Sequence, residues 1–497
     1  MEAEALYEHF DLFTDFEYKG TWWIPENAEN KLYGSLKFKH NNYILLELNG
    51  LFEKKSTFQL LEPEIILGTT NDGEKVTIFQ SYESDFSGPA IDFESGSEER
   101  IGRQSFICKY IFVGETHFNR SEDMVFNYLV TNFTYLDQWL NNYLKVEKNE
   151  NEYVIKVNPI VSKLKIDSMK TTLTVSSYPF LSGKFSSTMG GGTDQVNIKY
   201  NSGLVIAPDG PKNLKWFEDF ITNLGNLLTL FIGFPVYPIR LYGEVAGTHD
   251  YNITNIYRII ENPQYVECVE FLEMDNRYPE LIKYSPKYKN PLADVINTWF
   301  EKSELLGPVY DLISITFYDS SMYARTYFLT LMQGIETFHR RVYGSDGKYL
   351  DDEEYEPIRE RFISAIPKEI EDDFKASLIA KFDYLNEFSL RKRIKDLKNC
   401  SIGKFNYYNP IMGDDPNLIS KLVDTRNYHT HFDKKEEKNI FSDDELPRIN
   451  TKLRLFLRVL LLDQINPEKI LDTMGICTRY ETQLYRDRVF QESLELE

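Results

Sequence analysis

The chain has 497 residues, of which 42% are hydrophobic, 27% charged and 14% aromatic. That length exceeds what one core usually sustains, so two or three domains are expected, and an aromatic load of 33 Tyr and 34 Phe excludes bulk disorder. With 56 basic against 77 acidic side chains, the net charge of −21 excludes a general nucleic-acid coat and disfavours anionic membranes. It leaves room for a nuclease with a small local basic site.

Residues 1–290 carry the period-2 alternation of half-buried strands. Leu36, Phe38, Ile44, Leu46 and Leu48 alternate with Lys37, Lys39, Leu45 and Glu47. Further strand-like segments cover residues 75–82, 105–113, 153–157, 164–175 and 196–200. Turn chemistry at Asn49-Gly50, Asn71-Asp72-Gly73, Ser182-Gly183 and Asn201-Ser202-Gly203 separates them, which suggests an antiparallel sandwich or barrel. Trp22-Trp23 reads either as core or as a recognition surface. One helix, residues 213–231, interrupts the strands: Trp216, Phe217, Phe220, Leu224, Leu227, Leu228 and Phe231 recur there at helical spacing.

Residues 291–497 change to helical periodicity. Over residues 323–342, Phe328, Leu331, Met332, Ile335, Phe338 and Val342 hold a 3.6-residue phase, with Gly344 as the expected C-cap. The acidic segment 346–373, with Pro357 and Pro367, is expected to be a mobile connection. Shorter helices are expected at residues 386–397 and 418–431, and a long one at 447–465 behind Ser442-Asp443-Asp444-Glu445. The fold class is α+β: a β-rich antiparallel domain, then an all-α bundle.

No uncharged apolar run reaches membrane-spanning length, since the best candidate, residues 224–239, is broken by Asn226, Pro235 and Pro238. The opening Met1-Glu2-Ala3-Glu4 lacks the basic and apolar regions of a signal peptide. Cys108, Cys268, Cys400 and Cys477 are scattered without CxxC spacing and read as reduced thiols in a cytoplasmic protein. Gly190-Gly191-Gly192 lacks the Lys-Ser/Thr of a phosphate loop and reads as a turn. There is no HExxH, no GxSxG and no clustered Cys/His set, so a metal-dependent hydrolase is disfavoured and no cofactor is expected. His9, His40, His117 and His249 read as surface or hydrogen-bonded structural residues.

The exception is Asp424-Thr425-Arg426-Asn427-Tyr428-His429-Thr430-His431-Phe432, which holds the single Arg-x4-His pair of the chain, Arg426 and His431. Leu418, Ile419, Leu422 and Val423 define the expected inward stripe of this helix, and one more turn brings Arg426 and Asn427 onto it. Asn427 and His431 stack on one side, whereas Arg426 and His431 stand about 140° apart. An inward cation and amide need a partner surface or a substrate phosphate. From the residues alone an alternative stays open: Arg426 pairs with Glu336 inside the bundle, and the histidines cap a helix C-terminus.

This segment resembles the signature of HEPN-domain ribonucleases, Arg-x4–6-His with Asn often after the Arg. With the helix carrying Glu336 and the basic helix ending at Leu397, it is similar to the ApeA-type HEPN domain. Gly20-Thr21-Trp22-Trp23-Ile24-Pro25, Gly34-Ser35-Leu36-Lys37-Phe38 and Leu46-Glu47-Leu48-Asn49-Gly50 likewise resemble the opening of ApeA N-terminal domains.

The resemblance implies metal-independent RNA cleavage. A 2′-hydroxyl attacks the adjacent phosphorus, leaving a 2′,3′-cyclic phosphate and a 5′-hydroxyl. Arg426 would stabilise the transition state, His431 exchange protons, and Asn427 hold the imidazole or a phosphate oxygen. His429 is a candidate helper, and Glu336 a candidate for orienting Arg426. Arg391, Lys392, Arg393, Lys395 and Lys398 form the densest basic run and read either as RNA-backbone contacts or as a solvated helix face. One motif per chain implies a homodimer through the HEPN domain, residues 291–497, with two motifs facing across a two-fold axis. The family places such proteins in anti-phage abortive infection, with tRNA as one candidate substrate. Residues 1–290 would then sense a phage-derived trigger or act as a brake. A catalytically inactive HEPN interaction or ligand-sensing module is the competing expectation.

Overall fold

The computed structural model describes residues 15–38, 43–52, 60–87, 102–140, 145–148, 153–156, 160–184, 195–247, 256–261, 289–319, 321–343, 347–399, 408–432 and 439–465. His9, His40, His249, Cys268, Cys400, Cys477, Gly190-Gly191-Gly192 and the C-cap expected at Gly344 lie outside the described residues. The chain forms two units, Met1–Asn297 and Thr298–Glu497.

In the first unit, β1 (Phe16–Trp23), β2 (Leu32–Phe38), β3 (Leu45–Asn49), β4 (Ile65–Thr70), β5 (Lys75–Ser87) and β6 (Arg103–Gly114) pair antiparallel. The order β6-β3-β2-β1-β4-β5 closes because β5 also pairs with β6. The ring is a six-stranded barrel with no free edge. The alternation read at residues 36–48 supplies its filling: Leu36, Phe38, Ile44, Leu46 and Leu48 are buried with Ile66, Ile78, Phe106 and Cys108. Burial pushes the Cys108 thiol up, so it stays protonated. Trp22 is core, buried inside the barrel, and a Cβ on Gly68 would stand 2.3 Å from its ring. Trp23 is half-buried, edge-on to His117 with the Lys31 ammonium over its face.

The sheet continues from β6 through β15 (Ile256–Glu261), β14 (Pro238–Val245), β7 (Val125–Phe133), β12 (Gln195–Pro208), β11 (Thr171–Lys184) and β10 (Ile160–Ile166). The short β13 (Lys212–Asn213) pairs with β7, and β8 (Lys145–Lys148) with β9 (Tyr153–Lys156) forms a separate two-stranded sheet. Two turns expected here are absent. Ser182-Gly183 lies within β11 and Asn201-Ser202-Gly203 within β12, because these two 14-residue strands stay paired from end to end. A long ladder outweighs local turn preference. Conversely, the single strand expected over residues 164–175 is a hairpin, folded at the short helical turn Asp167–Met169 where Lys170 adopts φ +48. Below the sheet lie α1 (Leu136–Trp139) and α2 (Leu214–Ile232), the helix read at residues 213–231. The Asn213 side chain caps α2 by accepting from the Trp216 N–H, and Phe217 meets Phe126 of β7 edge-on.

Helix α3 (Lys289–Glu301) follows in the chain and spans the boundary of the two units. The second unit is helical: α4 (Ser303–Tyr318), α5 (Ala324–Phe338), α6 (Asp352–Ser364), α7 (Asp372–Tyr384), α8 (Leu390–Asn399), α9 (Tyr408–Met412), α10 (Leu418–His431) and α11 (Leu446–Gln464). Its core joins Leu306, Val309 and Ile313 of α4, Phe328, Leu331, Met332 and Ile335 of α5, and Leu453, Phe456, Leu457 and Leu460 of α11. The segment expected as a mobile connection, residues 346–373, instead holds α6 and runs into the start of α7, a helical pair that fully buries no side chain. Without a buried stripe it has no apolar periodicity to read. Asn386 clasps its base, donating to the Leu350 carbonyl and accepting from the Leu350 N–H.

Candidate active site on helix α10

Helix α10 stops at Phe432, which takes the left-handed conformation (φ +53) and donates its N–H to the Tyr428 carbonyl. Its buried face is Leu418, Ile419, Leu422, Thr425 and His429. The inward stripe therefore runs through Thr425 and His429, not through Arg426 and Asn427, which are half-buried beside it, and His431 is exposed. The difference traces to Val423, which is only half-buried; at 100° per residue, counting it as inward turns the inferred stripe toward Arg426 by roughly 25°.

Thr425 explains how a polar residue fits that stripe. Its hydroxyl donates to the Lys421 carbonyl (2.6 Å) and accepts from the Phe441 N–H (3.0 Å), tying the segment before α11 to α10. Arg426 donates from Nη1 to Asn427 Oδ1 at 3.2 Å. Since Asn427 and His431 share a side of the helix, that bond draws the guanidinium toward the histidine's side. Helix geometry alone would hold Arg426 and His431 about 140° apart.

Glu336 does not orient Arg426. Its carboxylate accepts from Arg340 Nη2 (3.0 Å) and Nε (3.2 Å), one turn further along the same helix, and Arg340 also reaches Glu387. The basic helix α8 divides likewise. Arg391 is exposed and docks on α10, donating to Ser420 Oγ at 2.7 Å, with Asp424 3.7 Å away. Lys392 pairs with Asp396, Lys395 is exposed, and Lys398 sits over the Tyr408 ring. Arg393, expected at an RNA backbone, is instead only 1% exposed. Its Nε donates to the Phe388 carbonyl and its Nη1 to His339 Nδ1 at 3.2 Å.

That last bond fixes a tautomer. A guanidinium only donates, so His339 accepts at Nδ1 and carries its proton on Nε2, which faces Asp396 Oδ2 at 3.3 Å. Burial pulls the His339 pKa down, against the upward pull of Asp396. This Arg–His–Asp chain went unread in the sequence. The signal was present: His339 follows Ile335 by four residues on the buried stripe of α5.

His429 is the other buried imidazole, 8% exposed, and neither ring nitrogen has a hydrogen-bond partner among the described residues. Tyr428 and Phe432 pack edge-on to it. Burial lowers its pKa first, the Arg325 charge lowers it further, and Asp443 opposes both. Leaving such groups unpaired costs about 1–3 kcal/mol each. Arg325 and Asp443 themselves form a two-pronged pair, at 2.8 and 2.5 Å, that holds the Asp443 carboxyl below the usual range. Among the described residues no group of three or more His, Cys, Asp or Glu is arranged to hold a metal ion, and no helix is long and apolar enough to cross a membrane.

The family model described as ApeA N-terminal domain 1 matches residues 17–306, more than half of the chain, and the Apea-like HEPN model matches residues 329–469. The chain belongs to the ApeA family. It is a defence-associated HEPN protein with an ApeA-type architecture, and Arg426, Asn427, His429 and His431 all fall within its HEPN match. Neither the curated proteins nor the solved structures compared with this ApeA-family chain give a match.

Proposed function

We propose that this ApeA-family protein is a metal-independent endoribonuclease of anti-phage defence, acting in the cytoplasm as an abortive-infection toxin. The observation that carries the proposal is the side-chain bond from Arg426 to Asn427, on a helix whose last turn presents an exposed His431. A guanidinium fork held in that way suits two non-bridging phosphate oxygens and the charge that gathers on them in the transition state. His431 accepts the 2′-hydroxyl proton or donates to the departing 5′-oxygen. Bond formation from O2′ to phosphorus and loss of O5′ then leave a cyclic phosphate and a free 5′-hydroxyl. Asn427 acts by steadying Arg426.

In an in-line displacement the attacking O2′ and the departing O5′ lie on opposite sides of phosphorus, so one imidazole does not serve both in a single step, and the second proton-transfer group comes from a second copy. A homodimer through the HEPN domain doubles Arg426, Asn427 and His431 at no sequence cost. Arg391, Lys392 and Lys395 supply the backbone contacts an acidic protein needs to hold RNA, with tRNA as one candidate. The barrel-containing N-terminal unit is the sensor or brake for a phage-derived trigger.

The test is expression of wild type, Arg426→Ala and His431→Ala in bacteria, with end-group analysis of cellular RNA. Phage protection and new cyclic-phosphate ends are expected for wild type and in neither variant. Equal behaviour of all three would leave a catalytically inactive HEPN interaction module as the better account.

A further inference from the structure

Helices α6 and α7 are held to each other by side-chain contacts that leave much apolar surface open. Phe362 stacks on Phe382 at 5.3 Å, Arg359 Nε donates to Asp383 Oδ1 at 2.6 Å, and the Tyr355 hydroxyl donates to the Phe382 carbonyl at 2.5 Å. The base of the pair is fixed: the Asn386 side chain clasps the Leu350 backbone, and the Phe388 N–H donates to the Gly347 carbonyl at 2.6 Å. Each helix has 13 residues, near the length at which an isolated helix is marginal in water, so tertiary burial normally supplies the stability. Here no side chain is fully buried, and large apolar groups face solvent instead. Ile358, Phe362 and Leu385 are exposed, Phe374 is 54% exposed and Tyr384 68%. Helical phase groups them. Ile358 and Phe362 are four apart on α6, and Phe374 and Leu385, eleven apart, share a face of α7 and its C-cap. A fixed, exposed apolar surface of this kind is suited to covering by another molecule.

Charge selects that molecule. Residues 351–385 carry five basic side chains against eleven acidic ones, a net charge of −6. That sign repels nucleic acid and anionic lipid, and it repels the same hairpin of a second copy. We propose that the α6–α7 hairpin is a docking surface for another protein that presents a basic amphipathic helix. The apolar stripe of that helix covers Phe362 and Phe374, its Lys or Arg flanks meet carboxylates such as Glu354, and the three helices together form a small bundle. Docking here uses no residue of α10 and stands apart from the ribonuclease reading.

The experiment titrates the full chain against three labelled peptides and reads fluorescence anisotropy. One peptide arranges Lys and Leu as an amphipathic helix, the second has Glu in place of Lys, and the third has Ser in place of Leu. The Lys/Leu peptide is expected to bind, and the other two at least about tenfold more weakly. Phe362→Ala and Phe374→Ala are each expected to weaken Lys/Leu binding about tenfold. Glu354→Gln is expected to weaken it about twofold, whereas Glu29→Gln, on an exposed turn of the first unit, leaves it unchanged. Melting temperatures of these variants stay within a few degrees of wild type. Failure of the Lys/Leu peptide to bind overturns the docking surface, as does binding that both Phe variants leave unchanged. Equal weakening by Glu354→Gln and Glu29→Gln overturns it too, since the attraction then belongs to the whole acidic chain. A large loss of melting temperature in both Phe variants shows side chains that serve the fold, and a dimer that sediments intact in wild type but dissociates in those variants shows a second copy as the occupant; either overturns the proposal.

Discussion

At the residue scale, the polar side chains of α8 and α10 have separable jobs. Arg393 is a fold residue: removing one member of a buried charged chain leaves the others unsatisfied, so Arg393→Ala is expected to cost about 3 kcal/mol. Lys395→Ala, at an exposed site on the same helix, should leave stability unchanged, and chemical denaturation of both variants checks the contrast. An Arg393→Ala protein as stable as wild type would contradict the buried role. His429 carries a pH consequence. Its folded pKa lies below the unfolded value of about 6.5, so the unfolded chain binds the extra proton and stability falls as pH drops below that value, levelling off beneath the folded pKa. His429→Phe is expected to lose less melting temperature than wild type between pH 7.5 and 5.5, and an equal loss would contradict this. Sequence reading located the motif, because its spacing is local. It misassigned Arg393 and Glu336, because each finds a partner that spacing does not announce: Arg393 finds His339, 54 positions away, and Glu336 finds Arg340.

At the element scale, strong periodicity was readable and weak periodicity was not. Helices α2, α5 and α11 each bury a continuous stripe; α2 and α5 were read from its phase, and α11 from the capping sequence ahead of it. The acidic pair α6 and α7 buries nothing, so its sequence resembles a linker. That same lack of burial makes it dispensable for stability. Replacing residues 352–384 by a short Gly/Ser link, at a base where the Asn386 carbonyl accepts from the Tyr349 N–H and the Asn386 side chain bonds the Leu350 backbone, is expected to keep one cooperative melt within a few degrees of wild type. Loss of cooperative unfolding would contradict that expectation. In the barrel, Gly68→Ala would drive a methyl group into Trp22 and is expected to cost about 1–3 kcal/mol.

At the scale of the whole molecule, the proposed ribonuclease activity requires a chain of net charge −21 to hold RNA through local features and to complete its acid–base pair with a second copy. The composition revealed the acidity, and the resemblance supplied the dimer. The closed barrel was legible only as a sandwich-or-barrel alternative, since closure depends on β5 pairing with β6, a register that alternation alone does not encode. The proposed activity is cleavage of RNA by Arg426 and His431 without a metal. Its most direct test is single-turnover RNA cleavage by purified protein in excess EDTA, comparing wild type with Arg426→Ala and His431→Ala. Undiminished wild-type cleavage, with each variant slowed by at least about a hundredfold, is the expected result. Cleavage abolished by EDTA, or retained at the wild-type rate by either variant, would contradict it.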